Sequence, residues 1–255
     1  MTAPTLTLTA LPGIPLIEPG ADLAAIVAEA LARAGLEPHD HDVLVVAQKI
    51  VSKAEGRLID LDTIAPSARA MELAGATGKD PRLVELVLRE SDSVIRTAPN
   101  IIIVAHRLGL VMANAGIDQS NIRHGDGEWA LLLPADPDGS ALRLKHALDQ
   151  RFGVNLAVIV SDSFGRAWRN GVTGVAIGSA GLPSLVSRIG DPDLFGRTLR
   201  VTEIALADEI ATAASLLMGQ ADEGLPAVLV RGLAWSGAAL PAAALIRPRE
   251  RDLFR

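Results

Sequence analysis

Val158-Ile159-Val160-Ser161-Asp162-Ser163-Phe164-Gly165-Arg166-Ala167-Trp168-Arg169-Asn170-Gly171 is the stretch around which the rest of the chain is read. Residues 156–160 make a short apolar run, rich in β-branched side chains and of the length expected for a buried strand. The chain then turns polar at once, and Asp162 stands between Ser161 and Ser163 where that strand is expected to end. Arg166, Trp168 and Arg169 follow, then an Asn170-Gly171 turn signal and a second strand-like run over residues 172–177. A carboxylate at a strand mouth beside hydroxyls is a hard oxygen site suited to Mg2+ or Mn2+. Guanidinium groups nearby suit a carboxylate or phosphate. A turn capped by Asp162, with solvated arginines, accounts for this stretch equally well.

On the N-terminal side, residues 140–151 read as an amphipathic helix after a turn at residues 136–139. Residues 43–46 read as another buried strand that runs into Gln48-Lys49-Ile50-Val51-Ser52-Lys53. Earlier still come a strand at residues 6–8, a proline-fixed segment at residues 11–17 and a helix that starts after Asp22 and closes at Gly35. Residues 66–75 and 81–90 have helical spacing, and residues 101–104 and 110–112 suit a hairpin. On the C-terminal side, residues 203–218 form a long helical pattern ending at Gly219, and residues 227–230 form a last strand. Parallel-type and hairpin-type strands are mixed, so the fold class is α+β. No internal repeat or linker marks a boundary, and the expectation is one unit over residues 1–255, with room for two interleaved subdomains.

Composition excludes several functions. The chain has 255 residues and a net charge of −6, and its arginines are scattered rather than clustered with aromatics, so nucleic acid is not expected as a partner. There is no cysteine, which removes disulfides, thiolate catalysis and zinc–thiolate sites. No apolar run reaches the roughly 18 residues of a membrane span, and residues 1–10 carry no export signal, so the protein is expected in the cytoplasm with no membrane partner. Gly75-Ala76-Thr77-Gly78-Lys79 lacks the glycine spacing of a P-loop and reads as a plain loop. Gly171, Gly174, Gly178 and Gly181 do not match a dinucleotide fingerprint and suit close packing or turns. His39, Asp40, His41 and Asp42 read as a solvated turn, and His106, His124 and His146 have no zinc-ligand spacing.

Four polar islands remain, each beside a strand or a helix end: Ser52-Lys53, Asp118 with Asn121, Asp162-Ser163, and residues 218–224. Each has an ordinary structural explanation by itself. Two aspartates that both follow apolar runs can converge at one end of a sheet to share divalent ions, with a lysine meeting phosphate. Together the islands point to nucleotide phosphate chemistry with metal.

These residues carry a resemblance. Gly13-Ile14-Pro15-Leu16-Ile17, Val51-Ser52-Lys53-Ala54-Glu55-Gly56, Asn114-Ala115-Gly116-Ile117-Asp118-Gln119-Ser120-Asn121, Leu132-Leu133-Pro134 with Asp136-Pro137-Asp138, Asp162-Ser163-Phe164-Gly165-Arg166, Gly174-Val175-Ala176-Ile177-Gly178, Ala207-Asp208-Glu209-Ile210 and Leu217-Met218-Gly219-Gln220 occur in that order. With them, the chain resembles the coenzyme F420-0:L-glutamate ligase family, from about residue 11 to residue 232.

The resemblance implies a homodimeric α+β fold unlike the P-loop folds. It implies an enzyme that joins L-glutamate to the F420 precursor with GTP as co-substrate, two Mg2+ or Mn2+ ions per site, and K+. It places Asp118 and Asp162 on one metal and Ser163 and Gln220 on the second. Asp118, Asp162 and Lys53 are then the catalytic set. Ile14, Pro15, Leu16, Ile17, Gln48, Lys49, Lys53, Asn121, Met218, Gly219, Gln220, Ala221, Asp222, Glu223, Gly224 and Leu225 are the GTP contacts. Some relatives carry threonine at the position of Ser163 and glutamate at that of Gln220. A neutral amide is the weaker ligand, so the second ion is expected to be held more loosely here. Relatives with an added C-terminal nitroreductase-like domain extend beyond the position where this chain ends, Arg255. Arg166 and Arg169 are candidates for gripping an anionic substrate or for a plain surface role; that reading comes from the residues, not from the resemblance. The competing classes are a nucleotide- and metal-sensing module and a metal-dependent phosphohydrolase.

Overall fold

Alternation inside two short apolar runs sets the architecture. Leu44 and Val46, with Val158 and Val160, face one buried cluster; Val43 and Val45, with Ala157 and Ile159, face another. A strand buried on both faces needs apolar residues at every position, which is why these segments read as continuous runs. Each valine, leucine or isoleucine among them contributes about 1.5–3 kcal/mol of burial.

The computed structural model describes residues 3–122 and 127–253, so His124 lies outside the described residues. In chain order the elements are β1 (Thr7–Ala10), α1 (Leu23–Arg33), β2 (Val43–Ala47), α2 (Gln48–Ala54), β3 (Leu58–Asp60), α3 (Ala68–Thr77), α4 (Pro81–Arg89) and β4 (Ser91–Ala98). They continue with β5 (Ile101–His106), β6 (Val111–Ala113), β7 (Trp129–Leu131), α5 (Pro137–Phe152), β8 (Ala157–Arg166) and β9 (Arg169–Ala180). The last are β10 (Val186–Ser187), β11 (Glu203–Ile204), α6 (Leu206–Met218) and β12 (Ala227–Arg231). The class is α+β, as the sequence leads one to expect.

The main sheet has the order β1-β12-β2-β8-β9. β2 and β8 are parallel, and the other neighbours are antiparallel. Helices α1 and α5 supply Val27, Leu31, Leu144 and Leu148 to one face, and α6 supplies Ile210, Ala211 and Ala214 to the other. A second body holds the sheet β4-β5-β6 against α3 and α4, and β3 pairs with β7 beside it. No helix among the described residues is long and apolar enough to cross a membrane.

Several local expectations are corrected. The strand through Asp162 does not end there: β8 runs on to Arg166, paired with β9. The hairpin turns at Ala167 and Trp168, the latter at φ 65°. Asn170 and Gly171 are instead two extra residues in β9, between the Gly165–Val172 and Arg166–Arg169 pairs. Residues 136–139 are no separate turn; Asp136 caps α5, with Pro137 in its first turn. Residues 75–77 close α3, and Gly78 is its left-handed cap. Helix α6 begins at Leu206, after the short strand β11. Asp42 is no solvated turn residue: it is buried and ion-paired to Arg231 at 2.6 Å.

The two bodies are tied by Glu90, which lies 2.9 Å from Arg57 and 3.0 Å from Arg107. His106 Nε2 stands 3.7 Å away, while its Nδ1 accepts from Leu108 N. Burial alone would raise the Glu90 carboxyl, but His106, Arg57 and Arg107 outweigh it and hold it at about 2. A carboxyl depressed in the fold stabilises above its unfolded value near 4.5 and loses that contribution as pH falls toward 2. The full difference corresponds to about 3 kcal/mol. We expect the stability gap between the parent and Glu90→Gln, measured by denaturant unfolding, to narrow steadily below pH 4.5. A gap that stays constant down to pH 3 would contradict this assignment.

Candidate active site

Strand β2 turns into α2 after Ala47, opposite Ser161, so β8 continues beyond its parallel partner. That opens a cleft at the C-terminal end of a parallel pair, the usual ligand position in sheets of this kind. The cleft holds about 620 Å3. Every residue assigned above to GTP lines it: Ile14 to Ile17, Gln48, Lys49, Lys53, Asn121 and the run from Met218 to Leu225. Asp162 and Ser163 lie on its wall. Asp118 is not part of the lining but joins it through Lys49, whose Nζ is 2.6 Å from Asp118 Oδ2. Two other clefts, near His39 and Trp235 and near Ser93 and Arg249, gather no comparable set of oxygens and cations.

Each polar group is held locally. Asp118 is fixed by two backbone hydrogen bonds with Leu131, and its Oδ1 accepts from Ser120 N and Oγ at 2.7 Å. Burial would raise its carboxyl, yet Lys49 and Ser120 hold it below the ordinary value. Lys49 also donates to Ser120 Oγ at 2.9 Å. Lys53 lies in the last turn of α2, not at a strand end, and donates to Asn121 O at 2.7 Å. Burial and then Lys49 lower its pKa against the pull of Glu18 and Asp118. Asn121 in turn donates to Ala221 O at 2.9 Å, closing the cleft on the far side. Gln48 is buried and receives the Ser52 hydroxyl.

Asp162 differs from all of these. Its carboxylate accepts from Ser163 N at 2.8 Å, and no salt bridge reaches it among the described residues. Burial above all pushes it up to about 7; the Ser163 amide and Lys49 oppose the rise, and Asp118 adds to it. Some of its surface meets solvent, but the carboxylate is enclosed by protein on most sides. Ser163 Oγ donates to Gln220 Oε1 at 2.8 Å, joining β8 to the end of α6. Two carboxylates, a hydroxyl and an amide oxygen form an all-oxygen set, and one carboxylate lacks a cationic partner. That chemistry fits a hard divalent ion. No group of three or more His, Cys, Asp or Glu side chains suited to a metal occurs among the described residues.

The family model for F420-0:gamma-glutamyl ligase matches residues 13–232. The chain belongs to that family. Among its relatives, the coenzyme F420:L-glutamate ligase of Methanothermobacter thermautotrophicus is 48% identical over 98% of this chain and 99% of its own length. That of Methanopyrus kandleri is 48% identical over 99% of this chain and 98% of its own. That of Methanocaldococcus jannaschii is 44% identical over 85% of each.

In this member of the F420-0:gamma-glutamyl ligase family, each of the four polar islands contributes to one cleft, though Asp118 and the buried Ser52 stand behind its lining. Arg166 and Arg169 do not join them: both are exposed at the tip of the β8–β9 hairpin, outside the cleft lining. Residues the sequence reading missed also line it, including Ser161, Gly174 and Ser215. Ser161 and Gly174 both stand in segments quoted above, but neither was assigned to the site; Ser215 carries no sequence signal that marks it.

Proposed function

We propose that this protein joins L-glutamate to F420-0 with GTP as the phosphoryl donor, giving GDP, phosphate and the glutamylated product. The observation that carries the reading is one cleft lined by Asp162, Ser163, Gln220, Lys49 and Lys53, with Asp118 ion-paired to Lys49 beside it, in a chain of this family. Its relatives are named as ligases of coenzyme F420 and L-glutamate. In the proposed sequence, a carboxylate oxygen of F420-0 attacks the γ-phosphorus and the bond to the β-phosphate oxygen breaks, releasing GDP. The α-amine of glutamate then attacks the acyl carbon of the resulting acyl phosphate. Phosphate leaves, the nitrogen loses a proton and an amide remains. Repetition would add further glutamates.

Asp118, Asp162, Ser163 and Gln220 would hold one or two Mg2+ or Mn2+ ions, which offset charge on the triphosphate when bound. Lys49 and Lys53 bring positive charge to the same wall, the main need of phosphoryl transfer. Residues 14–17 and 218–225 enclose the rest of the nucleotide. A potassium ion and a homodimer belong to the same reading. The exposed Trp168, Leu194 and Phe195 suit burial against a second copy. The whole chain acting as one unit fits a main sheet built from segments on both sides of β3–β7.

The test is phosphate release from GTP with Mn2+, with and without F420-0 and L-glutamate, alongside the mass of the product. We expect release only when all three are present, a product heavier by one or more glutamyl residues, and poor support by ATP. Release that ignores both co-substrates would indicate a phosphohydrolase, and binding without turnover a sensor. Equal rates with ATP would remove the guanine preference.

A further inference from the structure

Strand β9 is the last strand of the main sheet, so one side of its backbone has no strand to pair with. Side chains cover that side. Thr212 Oγ1 donates to Gly174 O at 2.7 Å, Ala176 N donates to Asp208 Oδ1 at 2.9 Å, and Ser179 N donates to Asp138 Oδ1 at 2.8 Å. An unbroken strand would present residues 174, 176 and 178 to this side. The step from 176 to 179 marks one extra residue in β9: Val160 pairs with Gly178, but Ser161 pairs with Ala176. Ile177 and Gly178 consequently both face α5. A bulge of this sort bends the strand and re-aims side chains beside it. It lies directly against Ser161, one residue before Asp162.

Helix α6 thus meets the β8–β9 hairpin at three levels. Asp208 in its first turn holds the bulge, Thr212 holds Gly174, and Gln220 beyond its end receives Ser163. Gly174 lets the helix come this near, because a Cβ there would lie 2.5 Å from Ala211 O. We infer that Asp208 is a positioning residue for the cation-binding oxygens: by fixing the bulge it sets the aim of Asp162 and the spacing of Ser163 from Gln220. Asp208 touches none of those oxygens. Burial raises its carboxyl above the ordinary value, and no salt bridge offsets that cost among the described residues. A hydrogen bond to one backbone N–H is its visible task. The inference rests on the metal reading proposed above.

The experiment is Mn2+ binding to the nucleotide-free protein, by electron paramagnetic resonance and calorimetry, with melting temperatures recorded in parallel. Groups that orient metal ligands typically alter affinity about 10- to 100-fold. Asp208→Ala is expected to weaken Mn2+ binding about tenfold or more. Asp208→Asn, whose amide oxygen still accepts from Ala176 N, should stay within about threefold of the parent on the same scale. Thr212→Val should weaken binding by a smaller factor. A lower melting temperature with unchanged Mn2+ affinity in Asp208→Ala would overturn the inference, leaving a purely structural clamp. So would an Asn variant as impaired as the Ala variant. If Asp208→Ala does not fold, the Thr212→Val protein decides, and full Mn2+ affinity there counts against the inference. Asp162→Asn separates the two claims, since parent-like binding in that variant overturns the metal site itself and this inference with it.

Discussion

Asp162→Asn protein should lose ligation by about a hundredfold or more while melting, without metal, no lower than the parent. The two halves of this expectation come from the same geometry. Asp162 is an enclosed carboxylate whose one hydrogen bond among the described residues comes from Ser163 N, and Asp118 lies near enough to disfavour its charge. Removing that charge relieves a burial cost in the metal-free protein. Asparagine keeps the size and an oxygen acceptor for the amide, so the local backbone is undisturbed. It no longer offers the anionic oxygen that a hard cation prefers. The measurement is thermal unfolding in chelator, beside ligation over a Mn2+ titration, where partial recovery at high Mn2+ marks a defect confined to metal binding. Were Asp162 a turn cap only, the pattern would invert: about 1 kcal/mol of stability lost and full activity per folded molecule. A destabilised, fully active variant would refute the site.

A large loss of stability is expected from a single methyl group at Gly178. A Cβ there would lie 2.3 Å from Pro137 O and 2.4 Å from Pro137 C, the backbone of the first turn of α5. Neither group can rotate away, so α5 or β9 must shift. Overpacking of this kind costs about 1–3 kcal/mol, with Gly178→Ala at the upper end because the obstacle is main chain. Gly75→Ala is the matched control. It lies inside α3 with nothing within 4 Å of the added carbon, and should be neutral or stabilising by up to about 1 kcal/mol. Denaturant unfolding of both variants checks the contrast, and equal stabilities would contradict the close packing of α5 on the sheet.

The legible parts of this protein are those where burial leaves a pattern in the chain. Residues 43–46 and 156–160 announce buried strands because both faces need apolar groups. Asp22 announces α1 because its side chain accepts from Ala25 N. The extension of β8 beyond Asp162 leaves no such mark. Ser161, Asp162 and Gly165 are poor strand formers, and they are extended because β9 pairs with them from the other arm of the hairpin. Strand β4 was missed altogether: most of its residues are exposed, so no alternation records its buried face. Asn170-Gly171 misled for a different reason. The pair suits a tight turn locally, and the hairpin register, a non-local property, placed the turn at Ala167-Trp168 instead. For the site, the polar islands were visible one by one. That they could converge was legible from the residues, but the assignment of individual contacts came from the resemblance, since spacing alone cannot say which loops of a mixed sheet end on the same side.

The strand order of the main sheet also dictates when the protein can form. Residues 227–231 lie between residues 7–10 and 43–47, paired to both. The first of these segments to leave the ribosome cannot find its neighbour until nearly the whole chain has been synthesised, and the second gains only one of its two neighbours before then. The central parallel pair joins residues 43–47 to 157–161 and is likewise remote along the chain. Such distant pairings close slowly, and until they close the apolar strands of the nascent chain stand open to wrong partners. Translation rate and chaperone supply therefore bear on the yield of this protein more than on that of a fold assembled from local hairpins.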